Sequence, residues 1–239
     1  MNSLLLALQF LTIIPVNHSF TASDRQLGNS ILFYPVIGLL IGSILAFSSV
    51  MLANIPLQIQ SAIILILWVL LTGGLHLDGL ADCADAWVGG LGNKQRSLEI
   101  MKDPTAGPIA VVVLVLLLLL KYLLINYILE HQALAALVMT PVMGRLSILI
   151  LMLSTRYIRT AGLGEKLVTN LPLSATKTIS LSGILVSIYL LGIIPISFML
   201  LIIWLISSQA KKRLGGVTGD VYGASVELVE VSVLLGILI

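Results

Sequence analysis

Charged residues are scarce in this sequence of 239 residues. Only 10% of them are Asp, Glu, Lys or Arg, whereas a soluble domain usually has about 25%. Hydrophobic residues make up 58% of the chain, and they form long uncharged runs that match the roughly 20 residues needed to cross a bilayer as a helix. This composition predicts an integral membrane protein with one membrane-embedded domain over residues 1–239 and no separate soluble domain.

Cysteine and clustered basic residues are also nearly missing. The one cysteine, Cys83, excludes an internal disulfide bond and any metal site built from several cysteines. The net charge is only +2, and no basic cluster is large enough to indicate a nucleic-acid partner. We therefore expect the lipid bilayer and small molecules, and no nucleic acid, to be the partners of this chain.

The long apolar runs predict an all-α, polytopic bundle of about six to eight transmembrane or half-membrane helices. Two segments leave alternatives open. Residues 4–16 are short for a span and could instead lie in the interface, and residues 178–207 form either one long helix or a hairpin bent at Gly192–Pro195. The predicted spans are residues 31–53, 59–75, 108–129, 133–153, 178–207 and 222–239.

The basic residues predict the orientation of the bundle. Of the 13 Lys and Arg residues, all but Lys121 and Arg145 lie in four polar segments, which surround Arg25 or cover residues 76–107, 154–177 and 209–219. Polar segments on the cytoplasmic side carry an excess of basic residues. If residues 178–207 form a hairpin, all four segments share one face, and we expect that face to be cytoplasmic.

Three aspartates form the most informative pattern. Asp78, Asp82 and Asp85 have the spacing i, i+4, i+7, which places them on one face of a helix. Like charges on one stripe repel each other, and hard carboxylate oxygens are ligands that suit Mg²⁺. The stripe therefore predicts a metal site for a phosphate-containing substrate, and the alternative is a solvated acidic face at a helix end.

A second acidic stripe lies near the end of the chain. On a helix, Asp220, Gly223, Glu227 and Glu230 share one face. Asp220 could simply cap this helix, but Glu227 lies within an apolar helix, where a carboxylate is costly unless it faces a polar cavity. We therefore expect Glu227 to point inward and to belong to the active site.

Three further polar residues have both a functional and a structural interpretation. Asp103 precedes Pro104 and a span, so it could act in the site or cap the next helix. Arg145 is a charge within a span, either a bidentate phosphate ligand or a counter-ion for Glu227 or Glu230. His76 could accept a proton or donate to a phosphate, and a structural role fits it equally well.

These segments together resemble the cobalamin synthase family, the adenosylcobinamide-GDP ribazoletransferases. The resemblance covers nearly the whole chain in one order, and residues 75–85 with residues 218–230 are its most specific part. Ile13, Ile14 and Pro104 depart from the family pattern, which often has a basic residue at one of the first two and Ser at the third. The similar stretches are FLTIIP (10–15), YPVIG (34–38), LHLDGLADCADAW (75–87), IMKDPTAG (100–107), Gly144-Arg145 and GVTGDVYGASVELVE (216–230).

The resemblance implies a Mg²⁺-dependent transferase of cobalamin biosynthesis in the bacterial inner membrane. A hydroxyl of α-ribazole, or of its 5′-phosphate, would attack adenosylcobinamide-GDP and release GMP, which gives adenosylcobalamin or its 5′-phosphate. The preferred ribazole stays open, as does association with a second copy or with other corrinoid-pathway enzymes. The implied roles are metal binding for Asp78, Asp82 and Asp85, substrate or cofactor binding for Lys102 and Asp220, and catalysis for His76, Asp103, Arg145 and Glu227.

Two other classes of membrane protein remain as alternatives. A CDP-alcohol phosphotransferase also has an Asp-Gly and Ala motif, but its pattern has two residues between Gly and Ala, whereas here only Leu80 separates Gly79 from Ala81. A cation or proton transporter would use Glu227, Glu230 and Arg145 as an ion path. Mg²⁺-dependent release of GMP distinguishes the enzyme from a transporter.

Overall fold

The computed structural model describes residues 2–16, 22–160 and 162–239, and within them the fold is all-α. The only strand-like pairing there is one isolated bridge between Tyr157 and Val217. The helices are α1 Asn2–Leu11, α2 Asp24–Ser30, α3 Tyr34–Met51, α4 Leu57–Thr72, α5 Leu75–Gly89, α6 Lys94–Ile100, α7 Pro108–Glu130, α8 Leu134–Ser154, α9 Leu163–Thr169, α10 Leu173–Leu191, α11 Ile193–Leu214 and α12 Gly219–Ile237.

The described part of the chain has five helical segments long and apolar enough to cross a membrane. They are residues 24–51, which end in α3, and helices α7, α8, α10 and α11. Helices α4 and α5 would form a sixth span only if they are taken together, and the two helices are bent by 88° at the break between them. Helix α1 has 10 residues and is therefore about 15 Å long, half of a bilayer's apolar thickness. The predicted polytopic bundle is confirmed, and α1 is too short to be a span.

The segment 178–207 is a hairpin of two helices, because the helix is interrupted at Gly192. Its φ of 84° lies where side chains are strained. Ser187 of α10 contacts Met143 in the middle of α8, while Ser207 near the end of α11 contacts Thr155 just after α8. Of the two alternatives that the sequence leaves open, the hairpin is confirmed, and its helices of 19 and 22 residues are each long enough to cross a bilayer.

Glycines bring α3 and α8 into close contact. A Cβ atom on Gly38 would lie 2.6 Å from the carbonyl oxygen of Pro141, and one on Gly42 would lie 2.8 Å from the Cα of Val138. Small residues four apart allow two membrane helices to approach at their backbones. This contact holds α8, which is buried along most of its length, at the centre of the bundle.

Helix α12 is the second central helix. It packs against α5, α7, α8 and α11, and nearly all of its residues are buried. Its end lies against the start of α11, since a Cβ on Gly236 would be 2.6 Å from the Cα of Pro195. The two helices are therefore antiparallel, and the start of α12 lies at the polar end of the bundle, beside α5.

The four polar segments meet at one end of the bundle, as the sequence predicts. Each is joined to another by at least one contact, so a single polar surface covers this end. The contacts include the ion pair of Asp24 with Lys166 at 3.8 Å, the hydrogen bond from Arg213 to the carbonyl of Trp87 at 2.7 Å, the one from Arg159 to the carbonyl of Met101 at 3.3 Å, and the one from Val217 to the carbonyl of Arg156 at 2.9 Å.

This arrangement predicts which positions share a side of the membrane. In a Cys83→Ser background, Lys166→Cys and Lys212→Cys should react with an impermeant thiol reagent from one side. Asn54→Cys and His131→Cys, in exposed turns at the other end of the bundle, should react only from the opposite side. Labelling of positions 54 and 166 from the same side of sealed vesicles would contradict the fold.

Candidate active site

An acidic cavity of about 180 Å³, which has the carboxylates of Asp78 and Asp220 in its lining, opens between the starts of α5 and α12. The chain turns sharply into α5 at Gly73 and Gly74, whose φ values of 61° and 71° favour glycine. This turn carries the first residues of α5 across the end of the bundle. The polar residues of the lining are His76 and Asp78 of α5, Asp220 and Tyr222 of α12, Tyr34 of α3, and Tyr157 of the loop after α8.

Two glycines set the distance between α5 and α12. A Cβ on Gly79 would lie 2.7 Å from the carbonyl oxygen of Asp220, and one on Gly223 would lie 3.4 Å from the backbone of His76 and of Gly79. The two helices therefore touch at their backbones. Gly223 thus allows the close approach of the two backbones, and the contact places the acids of α5 beside Asp220.

The three aspartates of the stripe lie on one helix, as predicted, but they have different surroundings. Asp78 is exposed and Asp82 is half-buried, and neither carboxylate accepts a hydrogen bond from the residues that the structure describes. Asp85 instead accepts hydrogen bonds from the backbone N–H groups of Gly107 at 2.6 Å and Ala110 at 2.9 Å. It therefore satisfies the first free donors of α7, a capping role.

Asp220 is not the cap of α12, because Thr218 holds that position and its hydroxyl accepts from the N–H of Val221. The Asp220 carboxylate instead forms an ion pair with Arg159 at 3.1 Å and accepts a hydrogen bond from the Thr218 hydroxyl at 3.2 Å. Arg159 comes from the loop after α8, so this pair joins that loop to the acidic cavity.

Asp103 lies apart from the acidic cavity, in an exposed turn next to Lys102, which is also exposed. It is not the cap of α7, where Gly107 holds that position. Its carboxylate accepts from the backbone and the hydroxyl of Thr105, at 3.0 and 2.5 Å, and these bonds lower the pKa of Asp103 below its usual value. With Asp85 it lines a separate pocket of about 300 Å³.

Beneath the acidic cavity lies a buried network of charges. The ammonium of Lys121 lies 3.0 Å from the carboxylate of Glu227 and 2.5 Å from that of Glu230, whose other oxygen is 2.5 Å from the guanidinium of Arg145. All four side chains are at least 95% buried. Lys121 also lies 4.2 Å from the ring centre of Trp68. Two cations and two carboxylates thus neutralise each other inside the apolar bundle.

The network confirms that Glu227 points inward and that Arg145 acts as a counter-ion for Glu230. The partner of Glu227 is Lys121, and not Arg145 as one of the alternatives from the sequence had it. Lys121 was missed as a site residue although the reasoning that singled out Arg145, a charge within an apolar span, applies equally to it.

His76 contributes a buried imidazole to the cavity. It lines the cavity, its side chain is almost completely buried, and its Nε2 atom has no hydrogen-bond partner among the described residues. Arg145 has two such atoms, Nε and Nη2. Buried polar atoms without a partner are rare, so this region has free capacity to bind water or a substrate group.

No ready-made metal cluster is present within residues 2–16, 22–160 and 162–239, where no three His, Cys, Asp or Glu side chains are arranged to hold an ion. Magnesium sites commonly use one or two carboxylates together with substrate phosphates. The carboxylates of Asp78 and Asp82 are suited to such a shared site. The Asp85 carboxylate is less suited, because both of its oxygens already accept hydrogen bonds from backbone N–H groups.

Comparison with known proteins gives one consistent result. The family model described as cobalamin-5-phosphate synthase matches residues 3–238. An adenosylcobinamide-GDP ribazoletransferase of Stutzerimonas stutzeri (strain A1501) is 47% identical over 98% of this chain and 96% of its own. One of Pseudomonas putida (strain W619) is 46% identical over 97% of this chain and 96% of its own. No solved structure matches the chain significantly.

The buried network predicts a large loss of stability when one cation is removed. Lys121→Met leaves two buried carboxylates with only Arg145, and breaking a buried pair costs about 3–5 kcal/mol. Thermal unfolding of the purified protein should show a clearly lower midpoint than that of Lys177→Met, a control at an exposed lysine. Adding Glu227→Gln to Lys121→Met should recover part of the loss. Equal midpoints for Lys121→Met and its control would show that the network is not stabilising.

The different surroundings of the aspartates predict different effects on stability. Asp85→Ala removes the acceptor for two backbone donors at the start of α7 and should cost about 1 kcal/mol or more. Asp78→Ala removes no hydrogen bond and relieves repulsion from its neighbours, so the midpoint should not fall. Midpoints that fall equally for both variants would contradict the capping role of Asp85.

Proposed function

Because the chain belongs to the cobalamin-5-phosphate synthase family, we propose that it is an adenosylcobinamide-GDP ribazoletransferase. It joins α-ribazole, or its 5′-phosphate, to adenosylcobinamide-GDP in the step that assembles the nucleotide loop of cobalamin. The observation that carries this proposal is the similarity over nearly the full length of both chains. The acidic cavity supports it, since phosphoryl transfer needs a site for a diphosphate and its metal.

The proposed reaction is a substitution at phosphorus. The hydroxyl oxygen of the ribazole attacks the cobinamide-side phosphorus and forms a new P–O bond. The bond from that phosphorus to the oxygen bridging the two phosphates breaks, and GMP leaves with the electron pair. The hydroxyl proton passes to a base or to solvent, so the products are adenosylcobalamin, or its 5′-phosphate, and GMP.

A proton acceptor that lines the cavity fits the structure better than Glu227 or Asp103 does. Glu227 is held by Lys121, and Asp103 lies in another pocket, where its carboxylate already accepts two hydrogen bonds from Thr105. His76 lines the cavity and has a ring nitrogen without a partner in the described part of the chain. We therefore assign proton acceptance to the cavity and name His76 as its candidate.

Magnesium is the proposed cofactor, and the donor chemistry of the cavity fits it. Asp78 of the cavity and Asp82, one helical turn further along α5, would hold the ion together with oxygens of the diphosphate. Asp78, Asp85 and Asp220 all lie close enough to act electrostatically on the Asp82 carboxylate. When bound, Mg²⁺ would neutralise charge on the diphosphate and on the leaving phosphate.

We place the protein in the bacterial inner membrane with its active site facing the cytoplasm. The basis is the gathering of the polar segments, which hold all the basic residues except Lys121 and Arg145, at the end of the bundle where the cavity opens. This is the distribution that the positive-inside rule assigns to the cytoplasm. The corrinoid and the ribazole would then enter from the cytoplasm.

The two alternatives lose support. The similarity over the whole chain points to one family and not to the CDP-alcohol phosphotransferases. The transporter hypothesis used Glu227, Glu230 and Arg145 as an ion path, but the structure pairs these residues with one another and with Lys121. They stabilise the bundle in this arrangement instead of lining an open path.

The proposed function predicts GMP release that depends on Mg²⁺ and on the carboxylates of Asp78 and Asp82. The purified protein in liposomes should release GMP from adenosylcobinamide-GDP and α-ribazole, and EDTA should stop it. Asp78→Asn and Asp82→Asn should lower the rate by about 100-fold or more, since each removes charge from the reacting phosphate site. Glu99→Gln, at an exposed acid of α6, is the control. Near-native turnover of either aspartate variant at ordinary Mg²⁺ would exclude that residue as a ligand.

A further inference from the structure

A second polar cavity, of about 690 Å³, lies directly beside the acidic one. The two share Met152 and Tyr157 in their linings, so they are neighbouring compartments of one polar surface. The charged side chains that line the second cavity are Lys94, Arg156, Arg159 and Glu165. Three cations and one carboxylate give it an excess of positive charge, the opposite of the acidic cavity.

The backbone holds the basic loop of this cavity in place. Residues on both sides of Tyr157 pair with Val217, through hydrogen bonds from Ile158 to the Val217 carbonyl at 3.0 Å and from Val217 to the Arg156 carbonyl at 2.9 Å. A Cβ on Gly216 would overlap this loop. The main chain thus anchors Arg156 just before α12, while its side chain stays exposed.

The other two cations reach the cavity from different elements. Lys94 is the first residue of α6, and its ammonium lies against Gly215, where a Cβ would be 2.8 Å away. Arg159 lines the cavity and also forms the ion pair with Asp220, which lines the acidic compartment. Arg159 therefore lies at the boundary between the two compartments.

We propose that this cationic cavity binds the phosphate of a nucleotide, with Arg156 and Lys94 as its ligands. This inference rests on the proposed function, which gives two phosphate groups no cationic side chain as a ligand. One is the guanosine-side phosphate that leaves as GMP, and the other is the 5′-phosphate of α-ribazole phosphate. One guanidinium group can donate two parallel hydrogen bonds to a phosphate, and a partly enclosed cationic cleft raises the local concentration of anions.

Adjacent acidic and cationic compartments suit a diphosphate better than either does alone. The acidic cavity can take a phosphate only together with metal ions, because like charges repel. The second phosphate can bind Arg156 and Lys94 directly and needs no metal. Arg159 at the boundary would then lie between the two phosphates, with its charge balanced by Asp220 when the site is empty of substrate.

The test is direct binding of GMP to the full-length protein in detergent, which requires no turnover. Arg156→Gln and Lys94→Gln should each weaken GMP binding by about 10-fold or more, because each removes a charge-assisted hydrogen bond. The matched control is Lys212→Gln, an exposed lysine of α11 that does not line the cavity. Unchanged thermal midpoints would show that the variants are folded, which is expected for exposed side chains.

Kinetics with the two ribazole substrates distinguish the sources of the phosphate. If the cavity holds the leaving nucleotide, Arg156→Gln should weaken GMP binding and raise the KM for adenosylcobinamide-GDP. If it holds the incoming 5′-phosphate, the variant should raise the KM for α-ribazole 5′-phosphate and not that for α-ribazole. Either result supports a nucleotide-phosphate site.

Two outcomes would overturn the proposal. One is a wild-type protein that binds neither GMP nor α-ribazole 5′-phosphate. The other is binding and KM values that are the same in Arg156→Gln, Lys94→Gln and Lys212→Gln. Binding of GMP that depends on Arg156 in a protein without transferase activity would support the site and reject only the proposed reaction, so the two failures are distinguishable.

Discussion

The burial of four charges in an apolar bundle is the constraint on which the rest of the structure depends. Lys121, Arg145, Glu227 and Glu230 are each at least 95% buried, and an unpaired charge at this depth is costly. Mutual pairing offsets that cost only if α7, α8 and α12 keep their register, because one helix turn of sliding would separate the partners. The network thereby fixes the three central helices relative to one another.

Helix α12 transmits this constraint to the polar end of the protein. Glu227 lies two helical turns, about 10 Å, beyond Asp220, so the register set by Lys121 also sets the position of Asp220. The contact of Gly223 with Gly79 and His76 then places α5. The acids of the cavity are thus positioned by the buried pairs of the network, whose four residues do not line the cavity themselves.

Much of the candidate site could be predicted from the sequence, since its signals are local. The stripe of Asp78, Asp82 and Asp85 repeats with the helical period, and the buried Glu227 is conspicuous in an apolar run. The capping of α7 by Asp85 could not be predicted, because it joins residues 22 and 25 positions apart through an irregular loop. For the same reason Asp103, the acid next to that helix in sequence, was wrongly considered as its cap.

The sequence by itself determined the membrane bundle, the spans around α3, α7, α8, α10 and α11, and the common end of the polar segments, because bilayer thickness imposes a length of apolar residues that can be counted along the chain. It also indicated the break at Gly192. Only the tertiary structure decided which charges pair: Lys121 and Glu227 are 106 residues apart, and nothing local distinguishes that pairing from one between Arg145 and Glu227. Likewise, Arg156 and Lys94 show no pattern in sequence, and they line one cavity because the backbone beside α12 brings their segments together.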